Sequence, residues 1–358
     1  MTVKPRIAIT LGDLAGIGSE IVFRAVNSLE VQRVCSPVIF GDKTAINNLQ
    51  ITNNKEMTSL RGEAKSRRGN PGPTSHYDFI TTSDIGKIAL GKPSKKSGIA
   101  AYNAIKTASQ FCLDGKADAL VTAPVSKESL KLAGVKHPGH TELLAALTKS
   151  RNIAMIMACG KILSVMVTRH IPLNQVSKKL KSKDIIETVK LTVKFLSKIE
   201  ELRVKSKDTA MNITLRSPLS TLSLKVALCS LNPHAGDNGI LGDEEQKIIY
   251  PAYKALKKMK INVSVPMPAD SAWLKTKNGE YDLICGMYHD QIMVPLKCID
   301  AKKIVNVTAG LPFVRTSPGH GTAFDIAGKG KADPSAMIEA ILFAAKAEKK
   351  MMRCLEVE

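Results

Sequence analysis

The run Arg6-Ile-Ala-Ile-Thr-Leu11 leads directly into Gly12-Asp-Leu-Ala-Gly-Ile-Gly18, and together these segments indicate the fold class. The first is short and apolar, as in a buried strand, and the second is a Gly-rich turn. A helical pattern follows, with apolar residues at Ile21, Val22, Ala25 and Val26. The sequence therefore predicts a strand, a tight turn and a helix, which is the unit of parallel α/β sheets.

The Gly-rich turn has two interpretations. The spacing of Gly12, Gly16 and Gly18 is not the Gly-x-Gly-x-x-Gly pattern of a dinucleotide fingerprint. The glycines fit either a tight turn packed close to the sheet or a loop that contacts a ligand. Asp13 slightly favours the ligand, because open α/β sheets bind ligands beyond the carboxyl ends of their strands.

The alternation of strand and helix recurs along the chain. Residues 37–40 and 118–122 are predicted strands, and residues 98–112 carry apolar side chains at a helical period. This order predicts an α/β fold with a mostly parallel sheet and helices on both faces. At 358 residues the chain exceeds the usual size of a single core, so one large domain or two are expected.

The second half of the chain contains further strand-like runs. Residues 153–158 and 162–168 flank Cys159-Gly-Lys161 and predict a hairpin. Three more strands are predicted, at residues 224–230, 261–265 and 282–287, of which the first is of the buried type. Residues 201–223 are polar and lack a clear period, so we expect a surface insertion there.

Composition excludes several functional classes. No run approaches the ~20 apolar residues of a membrane span, and no signal peptide is expected. The net charge of +20 suits nucleic acid, but aromatic residues are only 4% and no nucleic-acid motif occurs. We therefore predict a solvated basic surface biased towards small anions. Seven cysteines without a Cys-x-x-Cys pair favour a reducing cytoplasm.

Reactive side chains concentrate in residues 286–331, which we interpret as strand-like segments alternating with loops and as half of an active site. His289 in this stretch, like His170 and His234 before it, closely follows a predicted strand. Each alone fits a polar residue at a strand end. Together they can converge at one edge of a sheet as a metal site, where imidazole suits Zn²⁺ or Co²⁺ better than Mg²⁺.

Two further groups have an anion-binding and a structural interpretation. His140 and Thr141 precede a predicted helix and can hold a phosphate at its N-terminus, but spacing alone favours simple capping by Thr141. Lys297 and Arg315 can bind carboxylate or phosphate. For Lys297, a surface position without a ligand is the stronger interpretation. Arg315 lies in a segment that is too apolar for an ordinary surface charge, which favours an anion-binding role.

The motifs together resemble the 4-hydroxythreonine-4-phosphate dehydrogenase family of vitamin B6 biosynthesis. The matching segments run from residue 12 to 334 and include GDLAGIGSE, TAPVSKESL, GHTELLA, LNPHAGDNG, PADSAW, MYHDQ and LPFVRTSPGHGTAFDIAGKGKADP. The resemblance implies the two-domain α/β/α fold of isocitrate and isopropylmalate dehydrogenases, with the active site in the interdomain cleft. It divides the chain into a cofactor-side domain, residues 1–130 and 300–358, and a metal, substrate and dimerisation domain, residues 131–299.

The same resemblance implies roles for individual residues and a homodimer with shared sites. The family's metal ligands fall on His170, His234 and His289. Its substrate-binding positions fall on His140, Thr141, Lys297, Asn306 and Arg315. The implied cofactor loop comprises His320, Gly321, Thr322, Ala323, Asp325 and Gly328. Asp325 favours NAD over NADP, because a carboxylate there repels a 2′-phosphate. The general base is Asp270, Asp290 or Lys297, which the sequence does not rank.

The implied reaction is NAD-dependent oxidation of 4-phosphohydroxy-L-threonine to a 3-keto acid that loses CO₂. The metal is expected to be Zn²⁺ or Co²⁺, with Mg²⁺ as a third candidate. The first alternative is a paralogue that oxidises threonate or erythronate 4-phosphate by the same chemistry. The second is a non-catalytic binding protein, which the intact set of site residues disfavours.

Overall fold

The computed structural model describes residues 4–45, 76–137, 139–204 and 224–355. Ten strands lie in these residues: β1 (Arg6–Thr10), β2 (Ser36–Asp42), β3 (Asp78–Ser83), β4 (Ala119–Thr122), β5 (Ala154–Cys159), β6 (Ile162–Met166), β7 (Val226–Leu228), β8 (Leu283–Gly286), β9 (Ile304–Ala309) and β10 (Val314–Pro318). The α-helices of the same residues are α1 (Gly18–Val26), α2 (Leu29–Val34), α3 (Lys95–Leu113), α4 (Lys127–Leu132), α5 (His140–Leu147), α6 (Val176–Lys179), α7 (Ser182–Val204), α8 (Tyr250–Lys258), α9 (Ala269–Lys277), α10 (His289–Asp300) and α11 (Ser335–Leu355).

The chain divides into two compact units. The first comprises Met1–Arg151 and Leu311–Lys349, and the second comprises Asn152–Gly310 and Lys350–Glu358. In the structure, the first unit ends after Arg151 and resumes after Gly310. The division implied by the resemblance places these two boundaries after residues 130 and 299 instead. The assignment of a cofactor side and a metal side stays a prediction.

The first unit contains a parallel sheet in the order β3-β2-β1-β4-β10. The predicted strands at residues 6–11, 37–40 and 118–122 are confirmed as β1, β2 and β4. Strand order reverses between β1 and β4, as in doubly wound sheets, where ligands bind outside the carboxyl ends of the strands at such a reversal.

Helices cover this sheet and form its core. On one face Ala8, Phe40 and Leu120 pack with Ile105 of α3 and Leu143 of α5. The central strands β1, β4 and β10 are buried along nearly their whole length. Continuous burial requires helices on both faces, which explains why β1 and β4 appear in the sequence as apolar runs without alternation.

The Gly-rich turn after β1 is packed against backbone from elsewhere in the first unit. A Cβ atom at Gly12 would lie 2.3 Å from the carbonyl oxygen of Pro124, and one at Gly16 would lie 2.6 Å from that of Thr322. The N–H of Ile17 donates to the same Thr322 carbonyl at 3.0 Å. Close packing, the first interpretation of the turn, therefore accounts for these glycines.

The second unit has a mixed sheet in the order β9-β5-β6-β8-β7. Strand β5 is antiparallel to β9 and to β6, whereas β6, β8 and β7 pair in parallel. The hairpin predicted for β5 and β6 is confirmed, and Gly160 supplies its turn at φ +58°. Over both units, parallel strand pairs outnumber antiparallel ones, so the mostly parallel α/β fold expected from the sequence is confirmed.

Three details of the sequence analysis need correction or limits. The strand predicted at residues 261–265 is wrong, because only Val263 makes a bridge, to Val226. Pro266 and Pro268 lack the N–H groups that a longer ladder needs. Residues 286–331 were expected to be strands and loops, yet they include the helix α10. Residues 201–204 end helix α7, and the rest of the expected insertion, residues 205–223, lies outside the described residues.

Gly98 offers a test of the packing in the first unit. Replacing a helical Gly by Ala usually stabilises a helix by about 1 kcal/mol. At Gly98 a Cβ atom would lie 2.0 Å from the Ser129 carbonyl oxygen, so we expect Gly98→Ala to destabilise by about 1–3 kcal/mol instead. The measurement is the thermal unfolding midpoint.

Gly321→Ala is the control, because nothing lies within 4 Å of its Cβ position. A higher midpoint for Gly98→Ala than for wild type would show that helix propensity outweighs the contact between α3 and α4.

Candidate active site

The most unusual buried group in the first unit is the guanidinium of Arg315 on β10. The residue is only 1% exposed. Its Nη2 donates to Thr122 Oγ1, at the carboxyl end of β4, at 2.5 Å. Burial lowers the pKa of Arg315 to about 9. The protein thus holds a desolvated cation beside the reversal of strand order, where a bound anion would stabilise it.

The helix α5 brings His140, its first residue, close to the same cation. Burial, followed by the nearby charge of Arg315, holds the pKa of His140 well below its ordinary value. The Nε2 atom of His140 is shielded from solvent and has no hydrogen-bond partner in the described part of the chain. A neutral imidazole with an unsatisfied nitrogen, next to a guanidinium, is suited to hydrogen-bond a phosphate or carboxylate.

The capping role that spacing favoured for Thr141 is wrong. Gly139 is the N-cap of α5, in an extended conformation, and no side chain caps the helix. Glu142 does lie in the first turn. Thr141 is buried beyond the cap, at 8% exposure, because it follows His140 into the helix. The arrangement leaves the anion-binding interpretation of His140 and Thr141 open.

The predicted cofactor loop also lies in the first unit. It follows β10 and packs on the Gly-rich turn through the Thr322 carbonyl. Ala323 adopts a left-handed conformation at φ +44° before the 3₁₀ turn Phe324–Ile326. This conformation is rare for a residue with a Cβ, and such residues cluster at functional sites. Asp325 lies exposed in the turn, so its carboxylate is accessible to a ligand.

In the second unit, parallel pairing of β6 with β8 brings two of the three candidate histidines together. The rings of His170 and His289 lie 5.6 Å apart, centroid to centroid. They line a pocket of about 210 Å³ together with Arg169, Tyr288 and Asp290. His289 Nδ1 lies 2.6 Å from Asp290 Oδ1. A carboxylate on one ring nitrogen orients the imidazole and leaves the other nitrogen for a ligand.

His234 lies on a different kind of segment. Six consecutive residues, 234–239, have positive φ, with His234 itself at φ +52°. A left-handed turn costs roughly 1–2 kcal/mol for each residue that carries a Cβ. Such strain persists only where surrounding contacts determine the conformation, and it occurs preferentially at functional sites.

The donor set fits an imidazole-preferring cation, but the structure assembles only part of it. Imidazole nitrogens suit Zn²⁺ and Co²⁺ better than the oxygen-seeking Mg²⁺. Across residues 4–45, 76–137, 139–204 and 224–355, no group of three His, Cys, Asp or Glu side chains is close enough to hold a metal. His170 and His289 are adjacent, and His234 as the third ligand stays a prediction.

The remaining candidates of the second unit are more dispersed. Asp270 is exposed in the first turn of α9, where its Oδ1 accepts the Ser271 N–H at 2.8 Å. Lys297 is exposed in the last turn of α10, about 12 Å along the helix axis from His289. Asn306 lies on β9, and its Oδ1 is buried without a hydrogen-bond partner among the described residues. Their roles as base or substrate ligands stay predictions.

Comparison of the chain with known proteins identifies its family. The family model described as "Pyridoxal phosphate biosynthetic protein PdxA" matches residues 33–204 and 194–344. The chain belongs to this family. The matched ranges contain Arg315 and the residues of the histidine pocket of this PdxA-family chain.

Curated relatives carry two different names at the same level of similarity. A 4-hydroxythreonine-4-phosphate dehydrogenase from Sulfurihydrogenibium is 37% identical, covering 95% of this chain and 97% of the relative. A D-threonate 4-phosphate dehydrogenase from Salmonella typhimurium is also 37% identical, covering 94% of this chain and 97% of the relative. The PdxA-family chain is thus similar to dehydrogenases of two phosphorylated four-carbon acids, and identity does not separate them.

A solved structure supports the fold. The 4-hydroxythreonine-4-phosphate dehydrogenase from Klebsiella pneumoniae is 31% identical, with a TM-score of 0.77 over 96% of this chain and 98% of its own. A structure titled as a putative 4-hydroxythreonine-4-phosphate dehydrogenase, from Salmonella typhimurium, gives a TM-score of 0.76 at 34% identity over 97% of this chain and 100% of its own. The α/β fold of the PdxA-family chain is therefore that of these dehydrogenases.

Sequence reasoning missed several residues of the histidine pocket. Arg169 and Tyr288 line it, and Gln291 is buried behind it at 8% exposure. Each neighbours a histidine that was singled out, so proximity in sequence was the available signal.

Within the described residues, no helix is both long enough and apolar enough to cross a membrane.

The pKa of His140 predicts a pH dependence of stability. The folded pKa lies below the unfolded value, so at pH below about 6.5 the unfolded chain binds a proton that the folded chain does not. Stability contributed by neutral His140 is complete above that pH and is lost as the pH falls. His140→Gln should therefore flatten the fall of the thermal midpoint between pH 7 and pH 5.

His76→Gln, at an exposed position, is the matched control. If His140→Gln and wild type lose the same number of degrees over this range, the shifted pKa of His140 is refuted.

Proposed function

We propose that the protein oxidises 4-phosphohydroxy-L-threonine with NAD⁺ and a divalent metal ion. The product is a 3-keto acid that loses CO₂ to give 3-amino-2-oxopropyl phosphate, a step of pyridoxine 5′-phosphate biosynthesis. We also propose a homodimer and a cytoplasmic location. The family match makes the chain a dehydrogenase; substrate, cofactor and metal are the proposal.

The observation that carries the proposal is the buried guanidinium of Arg315. A desolvated cation with His140 nearby suits the phosphate group that the names of both sets of relatives share. Arginine binds phosphate in bidentate fashion, which fixes orientation as well as charge. In this proposal these residues hold the phosphate while oxidation takes place at a carbon further along the substrate.

The second unit supplies the groups for the oxidation. His170, His234 and His289 would hold the metal, with Asp290 orienting His289 through Nδ1. When bound, the ion polarises the substrate's hydroxyl and lowers its pKa. Lys297 and Asn306 bind the substrate's polar groups. One of Asp270, Asp290 and Lys297 accepts the proton of this hydroxyl. The hydride leaves the carbon that bears the hydroxyl and passes to the cofactor.

NAD⁺ is the proposed hydride acceptor, with NADP⁺ as the second candidate. The loop from His320 to Gly328 would bind it. Asp325 is exposed there and would repel a 2′-phosphate, which favours NAD⁺. The residues of this loop, like Arg315, lie in the first unit.

The alternative substrate is D-threonate 4-phosphate. The equal identity of the Salmonella typhimurium D-threonate enzyme favours it as strongly as the first. The two substrates differ only in an amino or hydroxyl group near the oxidised carbon, and the chemistry is the same.

The deciding experiment measures NADH formation with each of these two phosphorylated acids. Each reaction is run with chelator and with added Zn²⁺, Co²⁺ or Mg²⁺. Metal-dependent turnover of the amino acid supports the main proposal, and turnover of D-threonate 4-phosphate alone supports the alternative. Absence of turnover with either acid, with metal bound, would refute both.

Arg315→Met tests the phosphate role. Replacing a buried cation with an apolar side chain of similar length is often neutral for stability. Loss of a buried charged contact to the substrate costs roughly 2–5 kcal/mol. We therefore expect kcat/KM to fall about 30-fold or more with an unchanged thermal midpoint.

The exposed Arg33→Met is the control for loss of an arginine, and it should keep wild-type kcat/KM. A tenfold or smaller loss of kcat/KM in Arg315→Met would remove Arg315 from the phosphate site.

A further inference from the structure

Gln291 occupies a buried position behind the histidine pocket, in the first turn of α10. Its side-chain amide makes two hydrogen bonds with backbone groups of different segments. Oε1 accepts the Met287 N–H at 2.6 Å, and Nε2 donates to the Ser230 carbonyl at 2.8 Å. The Met287 segment leads to His289, and the Ser230 segment leads to His234. One amide therefore joins two histidine-bearing segments.

The segment that leads to His170 is joined to the same point. The Met287 carbonyl accepts from the Thr168 N–H at 3.0 Å and from Thr168 Oγ1 at 2.7 Å. These contacts extend the parallel pairing of β6 with β8 beyond the ends of the strands. Thr168 lies two residues before His170, and Met287 lies two residues before His289, so the two imidazoles project from adjacent, bonded backbone.

On the other side the network continues into the left-handed turn. Ser230 Oγ donates to the Asn232 carbonyl at 2.9 Å. Glu245, only 1% exposed, accepts the N–H groups of Leu231 and Asn232 on Oε1, both at 2.8 Å. Its Oε2 accepts from Asn232 Nδ2 at 2.9 Å. Asn232, which precedes the strained turn that carries His234, is thus hydrogen-bonded through its N–H, its carbonyl and its Nδ2.

We infer that Gln291 is a positioning residue that fixes the segment of His234 relative to the joined segments of His170 and His289, and so sets the affinity for a divalent cation. The residue does not itself contact the cation. It satisfies one backbone donor and one backbone acceptor that would otherwise be buried without partners. This inference deepens the proposed function and rests on its assignment of the histidines.

The test compares Co²⁺ binding by purified full-length variants, followed by the visible absorption of the ion. Gln291→Met removes both amide hydrogen bonds and keeps the length of the side chain. We expect it to weaken Co²⁺ binding about 10- to 100-fold, the usual effect of losing a residue that orients metal ligands. His170→Ala identifies the absorption that depends on the histidines.

Gln291→Glu is the second variant, in case Gln291→Met does not fold. It retains an oxygen for the Met287 N–H and, when ionised, loses only the donor to the Ser230 carbonyl. Its affinity for Co²⁺ should fall below that of wild type. Wild-type affinity in whichever of the two variants folds would overturn the inference.

Trp273→Phe is the matched control for general loss of stability. Trp273 Nε1 donates to the Gln291 backbone carbonyl at 2.8 Å, so the variant removes a buried hydrogen bond at the same residue without breaking the link between the segments. We expect a lower thermal midpoint and a Co²⁺ affinity within about twofold of wild type. Equal weakening in Trp273→Phe and Gln291→Met would show a packing effect and overturn the inference.

The binding assay separates this inference from the proposed function. Wild-type protein that binds Co²⁺ but oxidises neither phosphorylated acid would refute the proposed reaction, and the variants would still decide the role of Gln291. Wild-type protein whose Co²⁺ binding is absent, or is unchanged by His170→Ala, would overturn the inference.

Discussion

Parallel pairing of β6 with β8 is the constraint on which the histidine pocket depends. The register places Met166 opposite Gly286 and continues through the contact of Thr168 with Met287. Because parallel strands end at the same edge, the residues that follow them emerge side by side. His170 and His289 are 119 positions apart in the sequence, yet their rings lie within 5.6 Å. Sequence proximity plays no part in this arrangement.

In the first unit, parallel strands likewise bring distant residues together, but the group that they position is a buried cation. Beside the reversal between β1 and β4, the guanidinium of Arg315 is buried and donates to Thr122 at the carboxyl end of β4. Burial of a cation is unfavourable unless something compensates it, and the lowered pKa of Arg315 shows the remaining cost. A group held in this state has a strong preference for an anion, which is the basis of its proposed role.

Buried polar side chains determine how the loops of the second unit are held. Gln291 and Glu245 satisfy backbone groups that lie just beyond the ends of strands β7 and β8. Unsatisfied backbone groups are costly when buried, so these side chains restrict the loops to one arrangement. The left-handed conformation around His234 is tolerable because Gly236 makes room for Glu245, whose Oε2 would lie 2.6 Å from a Cβ there.

The sequence by itself determined the α/β class, the strands β1, β2 and β4, the hairpin of β5 and β6, and the unusual character of Arg315. These follow from local patterns of apolar residues and from turn glycines, which the chain encodes over short distances. It failed at residues 261–265, where apolar composition indicated a strand but Pro266 and Pro268 limit pairing. It also missed the N-cap Gly139 and the helix α10.

Only the tertiary structure decided which polar residues meet. The short distance between His170 and His289, the two hydrogen bonds of Gln291 and the depressed pKa of His140 all depend on strand register and burial. These quantities arise from contacts between residues far apart in the chain, and no local pattern carries them. That is why the histidines could be proposed from the sequence, whereas the residue that links their segments became visible only in the folded chain.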